Sequence, residues 1–484
     1  MDNIKSKITK GFLWAGLGSF GGRGIQFASD VLLSKLLIPE DFGLMAIGLA
    51  VLNISEMLTE TGFNSALIQK QGNIKKYLNT AWTMELIKSF FLFILIFLLA
   101  DPISKFYDEK SVGDVIKGIS LLFLLRGLRN VGIIYFRKNL QIHKQVALDI
   151  FPSIIQLIVV IPTAQYLQNV WAIIFSVAAR RTSELILSFI MHHYRPRFEF
   201  KLLLFKELFQ FGKWIFSLSI ISAIRKNFVP LFIGKYFGVV ILGYFNRAEL
   251  LSILFFSVLN EVTWKVGYPT MSHLQSNKNK LKKFYLDLFF IIIYLAIPIS
   301  GSIYLFNQEL VTIIFSHKWL PSASMLKLLI FAGLISFSGT LSSMLMQSIG
   351  KPKVATKISF NSIMILLATI FPLSYFMGIR GLIFSLIITN SYSMLHSLFF
   401  VMKVMEIKIV KIFYPILFSV INAIFFFLPI LFLKLYLFSS HNMITLCFFT
   451  AFGIVLFIFL AIIWKKIFTF NIIDIIIPHL FKKK

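Results

Sequence analysis

Nearly all of this chain consists of long apolar runs, and that leaves it few structural options. Fourteen runs approach or exceed the roughly 20 residues that carry a helix across a bilayer. They are 10–36, 41–67, 79–100, 113–134, 145–165, 169–192, 208–236, 240–265, 281–305, 324–349, 353–376, 378–402, 410–435 and 440–466. Proline and glycine mark many ends, among them Pro39, Pro102, Gly238 and Pro352. A transmembrane β-barrel needs shorter segments of alternating polarity, which these continuous runs are not. A soluble domain is excluded because 57% of the 484 residues are hydrophobic and only 14% charged, against about 25% charged in ordinary soluble domains. The expected fold class is all-α: a polytopic membrane protein with about 14 transmembrane helices. Its single cysteine, Cys447, lies in an apolar run and reads as a small buried hydrophobe. One thiol can neither close an internal disulfide nor make a metal site, so no metal and no cofactor is expected.

The net charge of +27 first raises nucleic acid as a partner. The positions of the charges argue otherwise. With the N-terminus placed in the cytoplasm, 29 of the 48 basic residues fall in inside segments and six in outside loops. Such asymmetry sets orientation, with both termini cytoplasmic and an even number of spans. Lysine runs such as 278–283 have no recognition fold around them and read as topology signals and contacts to membrane lipids, with no nucleic acid partner.

The other 13 basic residues lie within spans, where each costs at least about 2.5 kcal/mol. Lys117, Lys213 and Lys327 sit near span ends and can snorkel. The deeper arginines should face a bundle interior or an aqueous cavity. The chain also echoes itself: Trp14, Arg23 and Gly43 recur as Trp214, Arg225 and Gly243. Parallel repetition of this kind is found in transporters. It divides the chain into a six-helix lobe (1–194), a cytoplasmic linker (195–207), a second six-helix lobe (208–405), and two further helices with a basic tail (406–484).

Several stretches, taken in order, carry a family resemblance: IPEDFGLMAI (38–47), TGFNSALIQK (61–70), VWAII (170–174), FIGKYFG (232–238), LGYFNRAELL (242–251), KWLPSASMLKLL (318–329), LMQSIGKPKVATKI (345–358) and GIRGLIFSLIITN (378–390). In these the chain resembles the Wzx-type polysaccharide-unit flippases. They form the lipopolysaccharide and teichuronic-acid exporter branch of the multidrug/oligosaccharidyl-lipid/polysaccharide superfamily. It departs from the pattern at 168–170, where Gln-Asn-Val stands in place of a glycine before Val-Trp. The resemblance implies two helical lobes around a central cavity in the bacterial inner (plasma) membrane. It implies the passage of undecaprenyl-pyrophosphate-linked oligosaccharide from the cytoplasmic to the outer leaflet for surface polysaccharide such as O-antigen, capsule or exopolysaccharide. The polysaccharide polymerase machinery is a further partner it suggests.

Arginines suit that task, because guanidinium stays charged and grips phosphate bidentately. Arg23 lies roughly 20 Å in from the start of its run at 1.5 Å per residue. The substrate-binding candidates are Arg23, Arg126, Arg129, Arg181, Arg225 and Arg247. Arg23 and Arg247 match arginines of the first and eighth spans of related flippases, and Arg225 follows from the echo. Plainer roles stand beside these. Arg180 and Arg181 each lie within a turn of Glu184, which could neutralise one of them. Arg126 and Arg129 share a face and could anchor to headgroups. Asp30, Glu56 and Glu60 are candidates for H+ or Na+ coupling, since two carboxylates close together in low dielectric push one pKa up. Glu56 and Glu60 could equally pair with cavity arginines or Lys88. Glu85 and Lys88 read as an intrahelical pair, and His192 and His193 as part of a solvated basic loop.

No GxxxxGK[ST] motif offers an ATP site. A drug or small-solute exporter of the same superfamily is the alternative function, expected to carry fewer midplane arginines. A membrane glycosyltransferase would need an acidic pair and room outside. Glu40 and Asp41 supply the pair but read better as helix-start residues. The chain is therefore expected not to be an enzyme, and to work by alternating access.

Overall fold

The computed structural model describes residues 18, 21–58, 63, 67, 74–139, 141–436, 452, 453 and 456, with the side chains of 208–223, 225, 262, 435 and 436 excepted. Trp14, the span expected at 440–466 with Cys447, and the basic tail lie outside the described residues, as does Glu60. Among the described residues the structure is helical, without strands. Packing groups the chain into two compact units, 1–246 and 247–484. This grouping is not the division read from the repeat: residues 202–237 pack against the N-terminal helices and so extend the first unit beyond 194.

The first unit opens with α1 (21–36) and turns at Leu37 and Ile38 into α2 (Pro39–Leu58). Pro39 supplies the fixed φ of a helix start, where its missing N–H costs nothing. Glu40 and Asp41 occupy the first turn and complement the helix dipole. Asp41 is buried and accepts the Ile38 N–H at 3.2 Å, so this pair starts a helix. Next come α3 (Lys75–Tyr107) and α4 (Lys110–Gly127), then a short 3-10 turn (Val131–Ile133) and α5 (Ile134–Lys138). They are followed by α6 (Ile142–Leu167), α7 (Val170–Met191), α8 (Leu202–Phe237) and the first turns of α9 (Val239–Leu274). α3 packs on α4, α6 on α7, and α2 on α8.

The run expected as one span over 113–134 is broken: α4 and the segment Val131–Lys138 meet at 67°. The cause is Asn130, which is fully buried. Its side-chain oxygen accepts the Gly132 N–H at 2.8 Å, restarting the helix as a cap would. Its amide donates to the Tyr194 carbonyl at 2.7 Å, and its backbone N–H donates to the Ser188 hydroxyl at 3.0 Å. The break is thus fastened to the end of α7.

Residues 192–201 are extended but not loose. They lie along the start of α3, where Thr83, Thr80 and Asn79 accept the backbone N–H groups of Glu199, Lys201 and Arg197 at 3.0, 3.3 and 3.1 Å. Asn79 donates to the Glu199 carboxylate at 2.7 Å, and Tyr194 hydrogen-bonds Asn79. Burial pushes the Tyr194 phenol up to about 12. His192 stacks on Tyr135 with centroids 5.6 Å apart, so it belongs to the packing around the break rather than to a solvated loop.

At the start of α9 the repeat meets itself. Gly43 faces the backbone of Val239, and Gly243 faces the backbone of Pro39. A Cβ on either glycine would sit 2.6 Å from the opposing carbonyl carbon. The two helix starts touch main chain to main chain, which only glycine permits.

The second unit contains the rest of α9, α10 (Lys278–Leu305), α11 (Asn307–Ile314), α12 (Leu320–Ser348), α13 (Pro352–Met405) and α14 (Val410–Tyr436). α13 has 54 residues, which at 1.5 Å each would be far too long for one crossing. Gly378 adopts φ 60° and ψ −142°, so α13 is two helices joined at one residue. This matches the expected spans 353–376 and 378–402. α12 packs against α13, and α10 against α12 and α14.

Seven of the described helices are long and apolar enough to cross a membrane, or eight with the bent pair counted as one span. That is fewer than the runs in the sequence, because the run 440–466 and parts of others lie outside the described residues and because of two features of the described helices. α13 holds two crossings, and α7 carries Arg180, Arg181 and Glu184 in its middle.

Candidate functional site

The charged residues of the first unit converge around the break after α4. A cavity of about 180 Å³ opens there, lined by Lys88, Arg126, Arg129 and Arg137 against one carboxylate, Glu85, with Trp82 and Gln145 on its wall. The break positions these cations. Arg126 ends α4, Arg129 sits in the interruption, and Arg137 closes α5. An unbroken helix would spread the same three along one rod.

Arg126, Arg129 and Arg137 have partners on other helices. Arg126 is ion-paired with Glu56 of α2 and approaches Glu85 of α3 at 3.9 Å. Glu85 also holds Lys88 at 2.6 Å, the intrahelical pair expected from the spacing. Arg137 donates to Gln145 at 2.8 Å. Glu184 of α7 is shared by three guanidiniums: Arg180 at 3.2 Å, Arg181 at 3.4 Å and Arg129 at 3.8 Å. Arg180 also donates to Gln26 of α1 at 3.4 Å, and Gln26 donates to Asp30 at 3.5 Å. Asp149 adds a second carboxylate within electrostatic reach of Arg129 and Arg180, and two carboxylates still fall short of three arginines. The Arg129 Nε is buried with no hydrogen-bond partner among the described residues. The seam therefore keeps an excess of positive charge and an unused donor beside the cavity, the condition for attracting an anion.

Of the candidates named from the sequence, Arg126 and Arg129 line this cavity, and Arg181 joins it through Glu184. Arg23 is exposed on α1. Arg225 lies on α8, its side chain outside the described residues. Arg247 belongs to the second unit, where it is buried with its guanidinium 5.7 Å from the Phe315 ring centroid. Asp30 is held by Gln26, and Glu56 is committed to Arg126. The sequence reading missed Lys88, Arg137, Trp82 and Gln145 as lining residues, and Glu184 as a hub for three arginines. Gly127, Asn130 and Gly132 inside one apolar run were the signal that could have exposed the break. Among the described residues no group of His, Cys, Asp or Glu is placed to hold a metal.

Many apolar helices, with cations gathered inside a helical unit, define a polytopic membrane protein. The chain belongs to the family described as polysaccharide biosynthesis protein, whose model matches residues 32–324. An uncharacterized membrane protein in the cps region of Klebsiella pneumoniae is 23% identical over 407 residues, 83% of each chain. The lipopolysaccharide biosynthesis protein WzxC of Escherichia coli is 21% identical, covering 74% of this chain and 73% of its own. The teichuronic acid biosynthesis protein TuaB of Bacillus subtilis is 19% identical, covering 69% and 70%. Among solved structures, the lipid II flippase MurJ in an inward closed conformation superposes with a TM-score of 0.73 at 15% identity, over 94% of this chain and 99% of its own. An inward-facing multidrug resistance transporter of the MATE family superposes with a TM-score of 0.64 at 15% identity, over 79% and 94%. The fold is shared with these two solved structures, in agreement with the expected all-α, polytopic class.

Proposed function

We propose that the chain is a flippase for lipid-linked oligosaccharide units, carrying them from the cytoplasmic to the outer leaflet of the inner membrane for surface polysaccharide assembly. The carrier lipid in this reading is a polyprenyl pyrophosphate such as undecaprenyl pyrophosphate. The observation that carries the proposal is the cationic cavity at the α4 break. A phosphate-bearing headgroup needs guanidinium partners to leave water, and Arg126 and Arg129 stand at that cavity. The family's role in polysaccharide biosynthesis supports the reading, as do WzxC, TuaB and the succinoglycan biosynthesis transport protein ExoT of Rhizobium meliloti. A drug exporter shares the fold but has no need of such a gathering of arginines.

Transport proceeds by alternating access between the repeat-based lobes 1–194 and 208–405, with both termini cytoplasmic. Arg23, Arg181, Arg225 and Arg247 supply further headgroup contacts along the path. Coupling to H+ or Na+ runs through Asp30 and Glu56.

The test replaces Arg23, Arg126, Arg129, Arg225 and Arg247 singly with Ala at matched expression. Surface polysaccharide and lipid-linked units held inside are then measured. Loss of surface polymer with accumulation of inside units is expected for Arg126 and Arg129 above all. Normal polymer in every variant refutes the proposal. Normal transport by Glu56→Gln with and without a proton gradient removes the coupling step alone.

A further inference from the structure

The second unit holds a cavity of a different chemistry. It has a volume of about 310 Å³ and lies between α9, α12 and the second arm of α13, with Glu249, Asn260, Thr340 and Asn390 on its wall. No lysine or arginine lines it. Its size reaches the roughly 300 Å³ at which small-molecule sites begin, and exceeds what a single bare ion fills.

Its wall is rich in hydrogen-bond acceptors. The Asn260 Oδ1 is buried and has no hydrogen-bond partner among the described residues, a state that costs about 1–3 kcal/mol unless something donates to it. The Asn390 amide is oriented by its own donation to the Ala332 carbonyl at 3.1 Å, which leaves its oxygen for the cavity. The Thr340 hydroxyl spends its proton on the Ser336 carbonyl at 3.2 Å and keeps its lone pairs. Glu249 adds a carboxylate, an acceptor when ionised. Phe256 and Phe337, stacked with centroids 5.5 Å apart, give the wall an apolar part. Acceptors without cations, beside apolar rings, fit a ligand that brings many hydroxyl donors, has C–H faces and carries no negative charge.

We propose that this cavity is a sugar subsite. It takes an uncharged, hydroxyl-rich sugar of the lipid-linked unit, whose hydroxyls donate to Asn260, Asn390 and Glu249. The assignment rests on the flippase reading above and adds to it where the sugar is recognised. The lone carboxylate and the absence of lining cations select against acidic sugars.

The test uses the full chain in nanodiscs. The probes are undecaprenyl pyrophosphate, bare or carrying glucose, galactose, N-acetylglucosamine or glucuronic acid. At least one neutral sugar should tighten binding about tenfold or more over the bare lipid, as one or two added hydrogen bonds would. Glucuronic acid should not. Asn260→Leu or Glu249→Ala should erase the gain while bare lipid binds as before, which also shows that the variant is folded. Where Asn260→Leu does not fold, Glu249→Ala decides. The subsite is refuted if no neutral sugar tightens binding, or if the gain survives in every folded variant. Failure of the wild-type chain to bind any of the lipids overturns the flippase reading itself.

Discussion

The contact between the starts of α2 and α9 makes a quantitative demand. The Cβ that Gly43→Ala would add sits 2.6 Å from the Val239 carbonyl carbon, and that of Gly243→Ala sits 2.6 Å from the Pro39 carbonyl carbon. Ordinary carbon–carbon contact begins near 3.5 Å. Either substitution must therefore push the two helix starts apart by at least about 0.9 Å, since the carbonyl oxygen lies closer still to the added Cβ, in a place where both sides are backbone and no side chain can rotate away. Overpacking of this kind costs about 1–3 kcal/mol. Because both methyl groups act on one interface, separation forced by the first relieves much of the clash of the second. The double variant should lose clearly less stability than the sum of the singles, a departure of the size seen for residues in contact. Thermal unfolding of the purified protein in one detergent, run on both singles and the double, measures this. Wild-type stability in both singles, or strict additivity in the double, would refute a direct backbone contact.

Further outcomes follow from the polar network. Glu184→Ala leaves Arg129, Arg180 and Arg181 facing one another. It should destabilise by about 2–3 kcal/mol, below the 3–5 of full burial because these arginines are about a third exposed, and thermal unfolding should show it. Asn130→Ala removes the cap on Gly132 and the bond to Tyr194, at about 2 kcal/mol. Amide exchange at residues 131–138 should rise before the rest of the unit. Glu406 is held below its usual 4.5 by its hydrogen bond and charge interaction with Lys278, 2.5 Å away. Its depressed folded-state pKa means that this clasp is complete above pH 4.5 and lost as pH falls through the lower folded value. Protection of the 274–278 turn against exchange should drop in that acid window for the wild type and be flat in Glu406→Gln.

The all-helical, polytopic class was legible because bilayer thickness fixes helix length, and many apolar runs of that length have one use. The hairpin at Gly378 was legible too, since Gly378, Arg380 and Gly381 interrupt the hydrophobicity. The break at Asn130 was not, because Ile133, Ile134, Tyr135 and Phe136 carry the apolar pattern straight past it. What bends the chain there is a set of bonds to Ser188 and Tyr194, residues far along the sequence. The site divides the same way. Glu184 beside Arg180 and Arg181 is a one-turn relationship that spacing reveals. The pairing of Glu56 with Arg126, and of Glu184 with Arg129, exists only once α2, α4 and α7 are packed. The basic composition of 193–207 suggested a solvated loop, but the partners that pin it, Asn79, Thr80 and Thr83, lie on a different helix.

The reversal at Gly378 bears on how the chain enters the membrane. Two helical arms joined through one residue leave no loop to be threaded across on its own. The arms 352–377 and 379–405 close on each other at the junction, where a Cβ on Gly381 would sit 3.0 Å from the Ser374 backbone nitrogen, and they should insert together. A residue other than glycine at 378 strains a left-handed backbone. Its effect falls on biogenesis, as loss of protein from the membrane, before any step of transport is reached.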